Sequence, residues 1–187
     1  MRTVRATDRG EWRVWLAANH GEADEVWLVL PTRAAGEASV TYNDAVEEAL
    51  CFGWIDGTNR TLDATHQARR FTPRRAGSPY SQPNIERLRW LDARGMLMPE
   101  VRESVASLIE QQFEFPQDIL DAIREDGERT WRNFESFGEP YRRIRVAYVD
   151  AARGRPEEFG RRLANLVAKT RDGKVIRGYG GVDKYYR

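Results

Sequence analysis

The segment Arg69-Arg70-Phe71-Thr72-Pro73-Arg74-Arg75 gathers four arginines, and Ser78-Pro79-Tyr80-Ser81 and Asn84 follow it. A guanidinium is a planar fork of donors that fits carboxylate and phosphate, and a helix start presents unpaired N–H groups at the positive end of a dipole. Arginines beside a helix starting after Ser81 would therefore make a site for an anion. In it Arg74 and Arg75 carry the charge, Ser81 and Asn84 donate hydrogen bonds, and Trp54 and Tyr80 form an apolar wall. Asp56 and Phe71 complete the candidate set. The competing reading is that alternating arginines solvate one face of a strand, with Asp56, Glu47 or Glu48 pairing with the rest.

Other chemistry finds less support. Cys51 is a thiol that His66 would have to activate, but it follows Leu50 on a helical pattern and reads as a small packed hydrophobe. Asp56 and Asp63 flank an expected turn, where aspartates commonly bond their own backbone instead of working as an acid–base pair. Two histidines and one cysteine match no zinc-ligand spacing, so no metal is expected. Neither a Walker-type nor a GxGxxG glycine pattern is present, and no cofactor is expected.

The elements that must position these residues follow from periodicity. Trp12, Trp15 and Leu16 recur at helical spacing over Arg9–Asn19. Glu25-Val26-Trp27-Leu28-Val29-Leu30 reads as a buried strand stopped by Pro31. Thr41 caps a helix carrying Ala45, Val46, Ala49 and Leu50 on one face, and Gly53 ends it. Trp54-Ile55 reads as a short strand turning at Asp56-Gly57, and residues 67–72 as a second extended segment. Helices are expected from Ser81 to Arg94, closed by Gly95, and again from Pro99. Beyond Pro116 only helical patterns remain, with Pro116, Pro140 and Pro156 near their starts.

The expected fold class is α+β: a small antiparallel sheet packed with helices, followed by an all-helical C-terminal part. The boundaries predicted are 1–115 for the α+β domain, 116–169 for the helical extension and 170–187 for a basic tail. Tyr179, Tyr185 and Tyr186 could dock that tail. A hydrophobic share of 41% with six tryptophans supplies enough apolar surface to order the chain. Thirty basic against 29 acidic residues leave a formal charge of +1, so no global field draws the protein to nucleic acid or an anionic membrane. A single cysteine and an N-terminal stretch charged throughout predict a cytoplasmic protein, and no apolar run is long enough for a membrane span.

The strings Ala49-Leu50-Cys51-Phe52-Gly53-Trp54-Ile55-Asp56-Gly57 and Arg70-Phe71-Thr72-Pro73-Arg74-Arg75, with Ser81 and Asn84, resemble the YdeI/OmpD-associated family of bacteriocin-protection proteins. The likeness runs from about Trp12 to Ala106 and is weaker over the C-terminal helices. Tyr80 stands where the family commonly has tryptophan, and Ala151-Ala152-Arg153-Gly154 replaces a lysine- and threonine-containing stretch. The resemblance implies an α+β N-terminal domain, bacterial cytoplasmic residence and an association with stress or antimicrobial tolerance, without an established reaction. The function expected is non-catalytic binding of an anionic small molecule or acidic peptide group. The alternatives are nucleic-acid binding through Arg69–Arg75 and the tail, and an enzyme using Asp56 on an anionic substrate.

Overall fold

The computed structural model describes residues 2–178 and 182–186. The chain is α+β, and among the described residues strands lie within the first 73 and helices follow throughout the remainder. It divides into two compact units. The first comprises residues up to Pro79 together with Leu88–Ser107; the second comprises Tyr80–Arg87 and residues from Leu108 onward.

In the first unit, strand β1 (Thr3–Val4) precedes helix α1 (Arg9–Asn19), strand β2 (Val26–Pro31) and helix α2 (Tyr42–Cys51). Strands β3 (Trp54–Thr61) and β4 (His66–Pro73) follow as a hairpin. The sheet order is β1-β2-β4-β3. β2, β4 and β3 are antiparallel, and the short β1, which carries no strand signal of its own, adds in parallel to β2. Asp8 and Thr41 cap α1 and α2, each side chain accepting from the amide three residues on. Gly53, with φ +71°, supplies the left-handed residue that turns α2 into β3.

β3 differs from the sequence expectation. Asp56-Gly57 is not a turn: the strand continues through it with an irregularity between Asp56 and Asn59, and pairs with β4 to Thr61. The reversal comes at Leu62–Thr65, where Asp63 Oδ1 accepts from the amides of Thr65 (2.7 Å) and His66 (2.8 Å). An aspartate answering two backbone donors makes the tighter turn, and the bulge absorbs the glycine.

The core of this unit joins the sheet to α1 and α2. Trp12 is fully buried, lies 5.2 Å from the Phe71 ring and donates its indole N–H to the Ala45 carbonyl (3.0 Å). Leu16, Val26, Leu28, Ala49 and Leu50 are buried in the same unit. Within the same unit, the Gly95 amide bonds the Asp92 carbonyl and the Met96 amide the Leu91 carbonyl, ending helix α3 (Gln82–Asp92) as Gly95 predicts. Helix α4 (Pro99–Glu110) follows.

The second unit is built on helices α5 (Gln117–Glu125), α6 (Glu128–Ser136), α7 (Glu139–Asp150) and α8 (Pro156–Arg171). Ile119, Ile123, Phe134, Val146, Val149 and Leu166 form its core. The described tail residues are tied to α7: the Ile176 amide donates to the Tyr141 hydroxyl (3.1 Å), and Arg145 donates to the Ile176 carbonyl and to the Tyr186 hydroxyl (2.8 Å). Tyr185 is buried, while Tyr179 lies outside the described residues.

Candidate functional site

The eight residues singled out in the sequence occupy four different environments. Trp54 and Phe71 are core residues, 1% and 0% exposed, and offer no wall to a ligand. Trp54 spends its indole N–H on the His20 carbonyl (3.2 Å). Both side chains point to the helix-covered face of the sheet, because residues in register across β2, β4 and β3 share a face and Val26, Phe71 and Asp56 are such partners.

Asp56 lies at the edge of that face. Its Oδ2 accepts from the Tyr42 hydroxyl (2.7 Å) and stands 3.7 Å from Arg69 Nη1. Arg69 also lies over the Tyr42 ring (4.9 Å) and donates to the Gly57 carbonyl (3.0 Å). Tyr42 and Arg69 thus occupy this carboxylate, which fastens α2 to the hairpin, although Arg69 Nε is buried without a hydrogen-bond partner.

The arginine-rich segment resolves residue by residue. Arg70 bonds Glu25, with 2.6 Å between Nη2 and Oε2. Arg74 Nη2 donates to the carbonyls of Ser78 (2.8 Å) and Pro79 (2.6 Å), tying the loop after β4 back on itself. Arg75 is exposed and has no side-chain partner among the described residues. Tyr80, Ser81 and Asn84 belong to the second unit. Ser81 directly precedes α3, its carbonyl accepting from the amides of Asn84 (2.9 Å) and Ile85 (3.0 Å), and Asn84 Oδ1 accepts from Arg87 (2.9 Å).

Glu47 and Glu48 are held by arginines outside the Arg69–Arg75 segment. Both are fully buried on α2, where Glu47 Oε1 accepts from Asn43 (2.9 Å), and both take arginine partners from α1. Arg9 reaches Glu47 (2.7 Å), Glu48 and Asp44 (3.2 Å); Arg13 reaches Glu48 (2.6 Å) and the Met96 carbonyl (3.1 Å). The signal for this network is the i, i+4 spacing of Arg9 and Arg13 on one helix face, read against two acids inside an apolar helix. Cys51 sits beside it. Burial, reinforced by the Glu48 charge, pushes its thiol up to about 12, so it is a packed hydrophobe and not a thiolate nucleophile.

His66 is bound elsewhere, on the hairpin. Its Nδ1 meets Asp63 Oδ1 (3.0 Å) and its Nε2 meets Glu37 Oε1 (3.1 Å). The hydrogen bond to Asp63 leads in raising its pKa above the ordinary histidine value, with Glu37 adding to it. Asp63 is held down at about 2, first by the Thr65 amide and then by His66. Among the described residues no three His, Cys, Asp or Glu side chains are grouped to hold a metal ion, and no helix is long and apolar enough to cross a membrane.

Two family models match the chain. Residues 4–104, more than half of its length, match a domain of unknown function (DUF8412), and residues 112–173 match the family described as bacteriocin-protection, YdeI or OmpD-associated. The resemblance read from the strings between Trp12 and Ala106 leads to that second family, whose model matches the helical stretch beyond them. Neither the proteins with curated descriptions nor the solved structures include a match. The chain therefore belongs to the family defined by that domain of unknown function, and its residues 112–173 are similar to the bacteriocin-protection, YdeI or OmpD-associated proteins.

Proposed function

We propose that this chain is a non-catalytic, cytoplasmic binding protein that captures an anionic small molecule or acidic peptide group on the loop after β4, as part of tolerance to bacteriocins or related stress. The observation that carries the reading is the division of labour among the four arginines of Arg69–Arg75. Arg69 and Arg70 are engaged with carboxylates and Arg74 staples the loop, which leaves Arg75 as an exposed charge on an ordered support. A guanidinium on an ordered loop loses less conformational freedom on binding than one on a loose tail. Non-catalytic action fits the pairing of Asp56 with Tyr42 and Arg69, and the high pKa of Cys51, which leave neither as a ready base or nucleophile.

The test is a thermal-shift series with inorganic phosphate, citrate and a short acidic peptide against wild type and Arg75→Ala. At probe concentrations about 100-fold above Kd the wild type gains about 2.7 kcal/mol and a higher Tm. Arg75→Ala should keep its unliganded Tm and lose the response. An identical response in both proteins removes Arg75 from the site, and silence from both argues against anion capture. Ser81→Ala and Asn84→Ala extend the series to the remaining candidates.

A further inference from the structure

Beside the start of α2 the first unit holds a cavity of about 320 Å³, bounded by the end of β2 and by the chain leading from it to Tyr42. Its floor is apolar, from Leu30, Pro31 and Val40. Thr32, Ser39, Thr41 and Tyr42 contribute to its lining, and Arg33 and Glu37 supply its charges. Two of these polar groups are unlike the others. Thr32 Oγ1 is buried and makes no hydrogen bond, in a protein interior where such groups are almost always paired. Arg33 is exposed and has no side-chain partner among the described residues. The remaining polar groups are engaged: Thr41 exchanges hydrogen bonds with Asp44, Tyr42 donates to Asp56, and Ser39 donates to the Val40 carbonyl.

Glu37 would repel an acid, but it is neutralised from two sides, by Arg5 (2.8 Å) and by His66 (3.1 Å). Arg33 is then the uncompensated charge at the cavity. We propose that this cavity binds a small monocarboxylic acid, independently of the Arg75 loop. The carboxylate sits on Arg33, a rotation about χ1 turns the Thr32 hydroxyl out of its buried position to donate to one carboxylate oxygen, and a short aliphatic or aromatic body covers Leu30, Pro31 and Val40. The volume is near the lower end of small-molecule pockets, which fits a compact acid better than a nucleotide. A lining that combines apolar side chains with a few polar groups is what orients such a ligand.

Titration of the uniformly ¹⁵N-labelled full chain with benzoate, hexanoate and neutral benzamide tests this. Saturable shifts of the Thr32, Arg33 and Thr41 amides are expected with an acid and not with benzamide. Arg33→Ala should weaken binding about tenfold or more, and the near-isosteric Thr32→Val by a smaller factor. Arg75→Ala should bind the acids as wild type does, so the two sites succeed or fail separately. No saturable shift at millimolar acid, shifts equal with benzamide, or unchanged affinity in a folded Arg33→Ala protein would each overturn the proposal.

Discussion

Arg9 and Arg13 stand one turn apart on α1 and converge on Glu48, while Arg9 also serves Glu47. Burying two adjacent carboxylates is unfavourable by several kcal/mol unless each is paired, so these arginines are required partners and their solvent-facing sides are incidental. The arrangement was only half legible in the sequence: helical charges normally read as a solvated face, and nothing local says that Glu47 and Glu48 point inward. His66 makes the most testable demand at this scale. Both ring nitrogens face carboxylates, which favours the imidazolium and raises its pKa in the folded protein. Its contribution is fully present below about pH 6.5, the unfolded value, and is lost as pH rises through the higher folded one. Asp63 runs oppositely, contributing above its unfolded value and losing that contribution as pH falls towards about 2. We expect the wild-type Tm to drop between about pH 6 and pH 8.5 by more than that of His66→Gln. Thermal melts of the pair check it, and parallel pH profiles would rule out His66 as the source.

At the scale of elements, caps and helical faces were readable because their causes are local. Thr41, Gly53 and Gly95 act within a few residues of themselves, and each does what its type predicts. The hairpin was misread for the opposite reason. Asp56-Gly57 is a good turn dipeptide in isolation, but pairing of Asn59, Arg60 and Thr61 with β4 outweighs it, and that pairing is a property of two strands. The same dependence puts Trp54 and Phe71 in the core: Trp54 reads as part of a ligand wall and Phe71 as a candidate beside it, and strand register turns both inward. Gly53 offers a measurable check on this level. It has φ +71°, and a methyl group there would lie 3.4 Å from Val101 Cγ2. Gly53→Ala should destabilise the first unit by about 1–2 kcal/mol, read as a lower denaturant midpoint at unchanged m. An unaltered midpoint would mean that the α2–β3 junction tolerates a side chain.

For the molecule as a whole, the two units divide the chain in a way that helical periodicity does not announce. Leu88 and Leu91 of α3 belong to the first, and Glu86, two residues before Leu88, to the second. There Arg143 of α7 clasps the nearly buried Glu86 carboxylate with both Nε (2.7 Å) and Nη2 (2.8 Å). Removing a guanidinium from a buried pair costs about 3 kcal/mol, so Arg143→Ala should lower hydrogen-exchange protection across 112–173. Unchanged protection there would make the pair expendable. The α+β class and the helical C-terminal run were legible from composition and period, whereas an acid that holds α7 by a side chain 57 positions away in sequence was not. The family likeness shows the same limit, since dense motif strings draw the eye to the N-terminal half while the bacteriocin-protection model matches the less distinctive helices after it. Cys51, the lone thiol of the chain, is fully enclosed with its ionisation suppressed. A thiol reagent therefore modifies it only in molecules that have opened at α2, and the modification rate becomes a built-in clock for the breathing of the first unit, with no label or engineered probe required.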